Sequence, residues 1–187
     1  MGAPSVGVIG GYQTDKGDNG YTPVYRALDL PTDGAVCEIG VRDGGSLALW
    51  RELCPAGRVV GVDVNPDSTW PPGTVRVVAD QTDPCLPALT DPHGGGFDLI
   101  VDDGCHRGME TAATFVNLYP LVRPGGWYVI EDWQAQILWP DLYPGMTMAC
   151  MSGLLEMLDW LTDDSECQSV TYRPGMVLIR KAGTEAP

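Results

Sequence analysis

The sequence predicts an α/β fold, a doubly wound and mostly parallel sheet of seven strands that ends in a C-terminal antiparallel hairpin. Short apolar runs rich in β-branched residues alternate with segments of helical spacing, which is typical of strand–helix–strand units. The last two strand-like runs are separated only by Arg173-Pro174-Gly175, which suits a hairpin turn. At 187 residues, the chain is expected to form a single domain.

In the first half of the chain, segments with the residue spacing of strands alternate with segments with the spacing of helices. Residues 1–33, rich in glycine and aspartate at 10–20, are expected to form an N-terminal extension that supplies a lid and a helix. Residues 7–11 carry the glycines of a nucleotide loop without the strand–turn–helix context, so we expect a flexible terminus there. The predicted elements are a helix at 21–30, a strand at 35–39, a helix at 44–53, strands at 58–64 and 74–79, and a short helix at 83–89.

The second half continues the alternation. A turn at Pro124-Gly125-Gly126 is expected to lead into the strand at 127–130. The Pro-containing stretch 133–148 is expected to be a lid. The predicted elements are a strand at 97–101, a helix at 107–119, a strand at 127–130, a helix at 148–161, and closing strands at 169–172 and 176–180.

Acidic residues follow two of the predicted strands directly. Asp102, Asp103 and His106 come after the strand at 97–101, and Glu131 and Asp132 come after the strand at 127–130. Open α/β sheets bind ligands at the carboxyl ends of their strands, so these side chains are expected to converge on one crevice. Crowded carboxylates repel one another unless a cation neutralises them, and oxygen ligands select Mg²⁺, Mn²⁺ or Ca²⁺. The pattern predicts a divalent-metal site beside a histidine.

The charge and the cysteines exclude several classes of protein. Twenty-five acidic and eleven basic residues give a formal net charge of −14, which opposes binding to nucleic acid and to anionic membranes. No signal-peptide pattern and no run long enough to span a bilayer is visible. The six cysteines are scattered without metal-binding spacing, which fits a reducing compartment. We therefore expect a cytoplasmic protein.

A glycine-rich turn follows the first predicted strand. Glu38 lies in that strand, Gly40 and Gly44 lie in the turn, and Ser46 lies at the start of the next helix. Glycine lets the backbone approach a ligand closely, and the free N–H groups at a helix N-terminus attract a carboxylate or phosphate. An acid in this position suits a cationic ligand better than a pyrophosphate.

The next two strands also end in polar residues. Asp63 closes the second strand, the placement that holds ribose hydroxyls in nucleotide folds, and Asp80 and Gln81 follow the third strand, where an adenine is expected. With Glu38 and Asp102 near the amino end of the ligand, the pattern suggests S-adenosylmethionine (SAM) as the cofactor.

These motifs together resemble the class I SAM-dependent methyltransferases, which have a Rossmann-like sheet. More narrowly, the chain resembles the macrocin O-methyltransferase family of metal-dependent sugar O-methyltransferases, to which cephalosporin hydroxylase-like proteins are related. The resemblance runs from about Gln13 to Lys181. It is carried by Thr14-Asp15-Lys16 with Gly20-Tyr21 and Tyr25, Glu38-Ile39-Gly40-Val41 with Gly44-Gly45-Ser46-Leu47 and Trp50, Gly61-Val62-Asp63, Asp80-Gln81-Thr82-Asp83, Asp102-Asp103-Gly104-Cys105-His106, Pro124-Gly125-Gly126, and Ile130-Glu131-Asp132.

The resemblance implies roles for the acidic residues at the strand ends. It places Mg²⁺, with Mn²⁺ as a substitute, on Asp103, Glu131 and Asp132, and it makes His106 the general base. It further implies methyl transfer from SAM to a hydroxyl of a small molecule with neighbouring hydroxyls, such as a sugar diol of a secondary metabolite in antibiotic biosynthesis. A homo-oligomer is compatible with it.

Two departures from the family pattern and three other readings stay open at this stage. Cys105 replaces the usual serine, and Asn19 replaces a common histidine. A catechol-like diol would satisfy the same metal geometry, and the pocket could serve another reaction of SAM, such as cyclisation or hydroxylation. A non-catalytic binding module would need neither His106 nor a metal site, and on that reading His106 is a surface residue that caps a helix.

Overall fold

The computed structural model describes residues 7–135, 157, 159, 161 and 166–183. The strands are β1 Gly7–Ile9, β2 Tyr12–Thr14, β3 Val36–Ile39, β4 Val59–Asp63, β5 Val75–Val78, β6 Phe97–Asp102, β7 Val122–Glu131, β8 Cys167–Arg173 and β9 Met176–Lys181. The helices are α1 Tyr21–Arg26, α2 Gly45–Leu53, α3 Leu86–Thr90 and α4 Gly108–Leu118, followed by a 3₁₀ turn at Tyr119–Leu121.

Seven of these strands form one sheet in the order β5-β4-β3-β6-β7-β9-β8. The pairs from β5 through β7 are parallel, whereas β9 runs antiparallel to β7 and β8 runs antiparallel to β9. All four residues of β3 are buried, as expected for a central parallel strand with both faces covered. The predicted sheet and its closing hairpin are confirmed.

Apolar side chains cover both faces of the sheet. On one face, Ile100 and Tyr128 pack in a buried cluster with Phe115 of α4. On the other face, Val101 packs in a second cluster with Trp50 of α2. Successive residues of β6 thus point to opposite sides, which is why both faces require apolar residues.

The ends of the three central strands lie level with one another. Ile39 of β3 pairs with Asp102 of β6, and Asp102 pairs with Ile130 of β7. After β3 the chain continues to β4 on one side, while β6 lies on the other side, so the strand order reverses here. Such a switch point leaves a crevice at the carboxyl ends of the strands.

Several predicted boundaries differ from the structure. The predicted helix 21–30 ends at Arg26, and the predicted helix 83–89 begins only at Leu86 because the Asp83 carboxylate accepts the backbone N–H of Cys85 at 2.8 Å. The predicted turn Pro124-Gly125-Gly126 lies inside β7, where the register shifts from the pair Phe97–Val122 to Leu99–Trp127. The turn chemistry was correct, but the extra residues are absorbed as an irregularity within the strand.

The N-terminal residues 7–11 are not a free end, so this prediction was wrong. Strands β1 and β2 form an antiparallel pair with Val8 opposite Gln13. A Cβ on Gly45 would collide with the carbonyl oxygen of Gln13, so the hairpin reaches α2 only because that position is glycine. The hairpin thereby places the following residues 14–20 close to the strand ends.

Two predicted segments fall largely outside the described residues. These are the lid at 133–148, of which residues 133–135 are described, and the helix at 148–161, of which residues 157, 159 and 161 are described. Among the described helices, none has the length and apolar character that crossing a membrane would need.

Candidate functional site

Two adjoining cavities open at the carboxyl ends of the central strands. The first, of about 430 Å³, is lined by residues 13–16, by the turn after β3 and by the loop after β6. The second, of about 310 Å³, lies over the ends of β4 and β5. Gly40 and Gly104 belong to the walls of both. A ligand that extends across these two glycines would occupy both cavities.

Gly40 brings the glycine-rich turn against the loop after β6. Its φ is +88°, and a Cβ at this position would collide with the carbonyl oxygen of Asp103. The backbone N–H of Asp103 donates to the carbonyl of Ile39 at 2.9 Å. Gly44 also has a positive φ, +77°, and precedes α2, whose Ser46 lines the first cavity.

Asp63 holds the glycine-rich turn from the end of β4. Its Oδ2 accepts the backbone N–H groups of Val41 and Arg42, each at 2.9 Å, and its Oδ1 accepts that of Asn65 at 2.8 Å. Burial alone would raise the pKa of Asp63, but these N–H donors outweigh it and hold the pKa below its ordinary value. A charged carboxylate therefore stands in the wall of the second cavity.

Asp80 and Gln81 line the same cavity and fix its floor. Gln81 accepts the backbone N–H of Cys105 at 2.8 Å and donates to the hydroxyl of Thr114 at 2.9 Å. Asp80 accepts both the N–H and the hydroxyl of Thr82. Gln81 thus joins the loop after β6 to α4.

Asp103, His106 and Asp132 form a polar cluster in the wall of the first cavity. Each offers one ligand atom, and these atoms all lie within 4.8 Å of one another. His106 Nε2 is 3.9 Å from Asp103 Oδ1. The φ angles of His106 and Asp132 are +56° and +48°, which is uncommon for residues with a Cβ and is concentrated at functional sites.

The hydroxyl of Tyr21 in α1 donates to Asp132 Oδ1. Burial and the neighbouring charge of Asp103 raise the pKa of Asp132, although the Tyr21 hydrogen bond opposes that rise. Asp132 also lines a third cavity, of about 210 Å³, together with Asn19 and Gln134. Asp132 therefore belongs to the walls of two cavities.

Glu131 ends the strand that Asp132 follows but is buried, with 2% of its surface exposed. Both of its oxygens accept from the ammonium of Lys16 at 2.8 Å, and Oε1 also accepts from the hydroxyl of Tyr25. Lys16 was not among the predicted site residues. A lysine beside Asp15 in a chain that has only two lysines was the available signal.

Glu38 and Asp102 are also buried and are not among the residues that line the two main cavities. Glu38 accepts from the indole N–H of Trp50 at 2.9 Å and lies 3.2 Å from the Lys16 ammonium. Burial raises the pKa of Asp102 to about 7. The structure therefore brings Gly40, Ser46, Asp103, His106 and Asp132 to the first cavity and Asp63, Asp80 and Gln81 to the second, with Glu38, Asp102 and Glu131 behind the walls.

Known proteins resemble this chain in the same region. Residues 37–133, just over half of the chain, match the family described as Methyltransferase domain. The chain is 35% identical to an 8-demethyl-8-alpha-L-rhamnosyl tetracenomycin-C 2'-O-methyltransferase of Streptomyces olivaceus over 91% of this chain and 49% of that protein. It is 39% identical to a demethylmacrocin O-methyltransferase of Streptomyces fradiae over 62% of this chain and 30% of that protein.

A solved structure shows the same fold. It is a methyltransferase from the mycinamycin biosynthetic pathway in complex with Mg, SAH and mycinamycin VI, with a TM-score of 0.73 and 27% identity over 88% of this chain and 49% of that chain. The chain thus spans about half, or less, of the length of these relatives. The matched residues 37–133 include the glycine-rich turn and the strand ends that carry the cavities, and the protein belongs to the methyltransferase domain family.

Proposed function

We propose that this chain carries out Mg²⁺-dependent transfer of a methyl group from SAM to a hydroxyl of a small molecule. One observation carries the proposal: two cavities meet at Gly40 and Gly104, and the first presents the Asp103–His106–Asp132 cluster beside their junction. The first cavity therefore offers space for an acceptor next to the part of the cofactor that reacts.

The second cavity fits the adenosine part of SAM. Asp63 is charged and lies at a strand end, where it can accept hydrogen bonds from ribose hydroxyls. Asp80 and Gln81 flank the space expected for the adenine, and Ser46 at the start of α2 lies on the path of the methionine part. When bound, SAM supplies a methyl group on a positively charged sulfur.

The donor atoms of the cluster fit a hard divalent cation. Asp103 and Asp132 offer carboxylate oxygens, the ligands that Mg²⁺ and Mn²⁺ prefer. When bound, the ion would lower the pKa of an acceptor hydroxyl and orient it. Asp103, Asp132 and Glu131 are thus the proposed metal ligands. Of the three, Glu131 is the one that accepts hydrogen bonds from Lys16 and Tyr25.

His106 is the proposed base. Its Nε2 faces Asp103 Oδ1 at 3.9 Å and its ring lines the first cavity, so a proton leaving an acceptor hydroxyl can be taken there. The carboxylate of Asp103 would stabilise the resulting imidazolium. SAM would supply the methyl group to the acceptor oxygen, and His106 would hold the proton that this oxygen loses.

The acceptor class is proposed from the relatives. Their names describe methylation of rhamnosyl tetracenomycin C, demethylmacrocin and mycinamicin VI, which are small molecules rather than polymers. The net charge of −14 supports the same choice because it disfavours polyanionic substrates. A sugar carrying neighbouring hydroxyls is therefore the first acceptor class to test.

The test is incubation of the chain with SAM, Mg²⁺ and a panel of acceptors containing glycosylated polyketides with a free sugar diol, a catechol and a monohydroxyl control. We expect SAH and a methylated sugar product in equal amounts, loss of turnover in EDTA, and recovery with Mg²⁺ or Mn²⁺. Consumption of SAM with no methylated product would favour a different reaction, and full turnover in EDTA would contradict the metal requirement. Methylation of the catechol alone would replace the acceptor class.

A further inference from the structure

The backbone of His106 adopts a conformation that is strained for any residue with a Cβ. Its φ is +56°, in the left-handed region that glycine enters freely and other residues seldom adopt. Such a conformation persists only where the surrounding contacts hold the chain in it. The segments directly before and after His106 therefore need to be anchored to the rest of the fold.

One side chain anchors both of these segments. The side-chain oxygen of Gln81 accepts the backbone N–H of Cys105, the residue before His106, at 2.8 Å. The amide nitrogen of Gln81 donates to the hydroxyl of Thr114 at 2.9 Å. Thr114 belongs to α4, which begins two residues after His106. Gln81 thus joins the segment that enters His106 to the helix that follows it.

The surroundings of Gln81 fit this anchoring role. A Cβ on Gly104 would meet the side-chain oxygen of Gln81, so glycine at this position leaves room for the amide where it lies. Thr114 is 0% exposed and is not among the residues that line the two main cavities. Gln81 lines the second cavity, yet its oxygen and one of its amide N–H groups bind the protein.

We propose that Gln81 is a positioning residue for His106, which anchors the chain on both sides of the histidine so that the imidazole stays in the first cavity. This inference rests on the proposed function, in which His106 takes the acceptor proton. It differs from the role expected from the sequence, in which Gln81 contacts the adenine. A displacement of the base by about 1 Å is enough to slow turnover. Gln81 therefore acts on kcat through His106.

The first test observes His106 directly and needs no turnover. The chain has only two histidines, His93 and His106, and His93 is exposed in the loop before β6. In protein labelled with ¹³C-histidine, Gln81→Met and Thr114→Val should each shift the ring signal of His106 and leave that of His93 in place. His93→Ala assigns the two signals. An unchanged His106 signal in both variants would overturn the proposal.

The second test separates positioning from cofactor binding. Gln81→Met keeps the length of the side chain and removes both hydrogen bonds, so it should lower kcat by about 10- to 100-fold. The Kd of SAM, measured by calorimetry, should stay within about twofold of the original chain. Thr114→Val should also lower kcat, although Thr114 does not line the cofactor cavity. The same exchange at an exposed position, Gln168→Met, is the matched control and should change neither quantity.

A double substitution identifies the residue through which Gln81 acts. In a His106→Ala background the base is already absent, so adding Gln81→Met should change kcat by no more than about twofold. Gln81→Glu is the conservative variant. It keeps an oxygen that can accept the N–H of Cys105, so it should restore most of the kcat that Gln81→Met loses.

The outcomes separate this inference from the proposed function. A higher Kd of SAM with unchanged kcat in Gln81→Met would make Gln81 a cofactor contact and would overturn the inference. An undiminished loss of kcat in the His106→Ala background would also overturn it. Absence of methyl transfer by the original chain would overturn the proposed function, while the histidine signals would still decide whether Gln81 fixes His106. Circular dichroism identifies variants that fail to fold, and Thr114→Val decides if Gln81→Met is one of them.

Discussion

At the scale of single residues, partners decide what each acid of the site can do. Asp63 is surrounded by backbone N–H donors and stays charged. Asp102 is buried with one N–H donor from Gly104 at 3.3 Å, and its pKa rises to about 7. Glu131 is paired with an ammonium. Carboxylates that look alike in the sequence therefore differ in charge and in access to a ligand.

The role of His106 can be separated from that of a metal ligand. His106→Ala should lower kcat by about 10²- to 10⁴-fold while leaving SAM and Mg²⁺ affinity nearly unchanged, because a base acts only during proton transfer. The residual rate should rise with pH as hydroxide replaces the base. The exposed His93, changed to alanine, is the matched control. A parallel loss of Mg²⁺ affinity, measured by calorimetry, would instead make His106 a ligand.

Asp63 gives a prediction for the cofactor. Asp63→Ala should weaken SAM binding by about 1.5–3 kcal/mol, the range for a hydrogen bond to a charged group. Calorimetry measures the affinity, and thermal unfolding reports any loosening of the turn that Asp63 holds. Asp67→Ala, at an exposed position on the same loop, should leave the affinity unchanged. Equal affinities of Asp63→Ala and the original chain would remove Asp63 from the cofactor site.

At the scale of elements, the site depends on how closely two loops and one hairpin approach each other. The turn after β3 meets the loop after β6 at Gly40, and the β1–β2 hairpin meets α2 at Gly45. At both glycines the backbone packs directly against the backbone of another segment, so neither position can accommodate a side chain. These contacts set the width of the first cavity.

A pair of glycine variants distinguishes this crowding from backbone strain. Gly40→Ala should destabilise the fold by at least about 3 kcal/mol, since a positive φ and a collision with Asp103 act together. Gly125→Ala has a similar φ, +78°, but meets nothing within 4 Å, so it should cost only about 1–2 kcal/mol. Urea denaturation measures both. Equal losses in the two variants would show that the close approach at Gly40 contributes nothing.

At the scale of the whole molecule, the two apolar clusters stabilise the sheet. Hydrogen bonds and an ion pair stabilise the end of the sheet opposite to the site. Arg58 donates to Asp91 at 2.9 Å and packs over the Phe97 ring at 4.6 Å. Asp91 also accepts the backbone N–H groups of Gly95 and Gly96. These ties join the loop before β6 to β4 without touching the cavities.

The pH dependence of stability follows from this tie. Burial alone would raise the pKa of Asp91, but the donors of Gly96, Gly95 and Arg58 outweigh it and hold the pKa below its ordinary value. The charge therefore stabilises the fold above the unfolded-state pKa of about 4 and stops doing so as pH falls through the lower folded-state pKa.

Asp91→Asn should accordingly lower Tm by about 4–8 °C near pH 7, which corresponds to about 2 kcal/mol, and the difference should shrink toward pH 3. The exposed Asp33→Asn is the control. Thermal scans at several pH values measure the difference. A constant difference down to pH 3 would contradict the assigned role of the Asp91 charge.

Much of this architecture can be predicted from short stretches of sequence. Runs such as Asp98-Leu99-Ile100-Val101 predict buried parallel strands, because both faces of such strands are covered, and strand order places their carboxyl ends along one edge. The acids at these ends, the glycine-rich turn and the closing hairpin follow from the same local patterns. The irregularity inside β7 and the β1–β2 pair were missed because pairing with distant residues, rather than local preference, forms them.

The chemistry of each acid depended instead on contacts between residues far apart in the chain. Lys16 and Glu131 are separated by 115 positions. No local sequence pattern indicates that the Lys16 ammonium, just after β2, would lie against the Glu131 carboxylate. The sequence suggested a divalent ion for Asp103, Glu131 and Asp132, and the amino end of the cofactor for Glu38 and Asp102. Folding also brings Lys16 to Glu38, Asp103 and Glu131, because buried carboxylates need a charged or hydrogen-bonding partner. Which partner each buried acid has is therefore a property of the folded molecule.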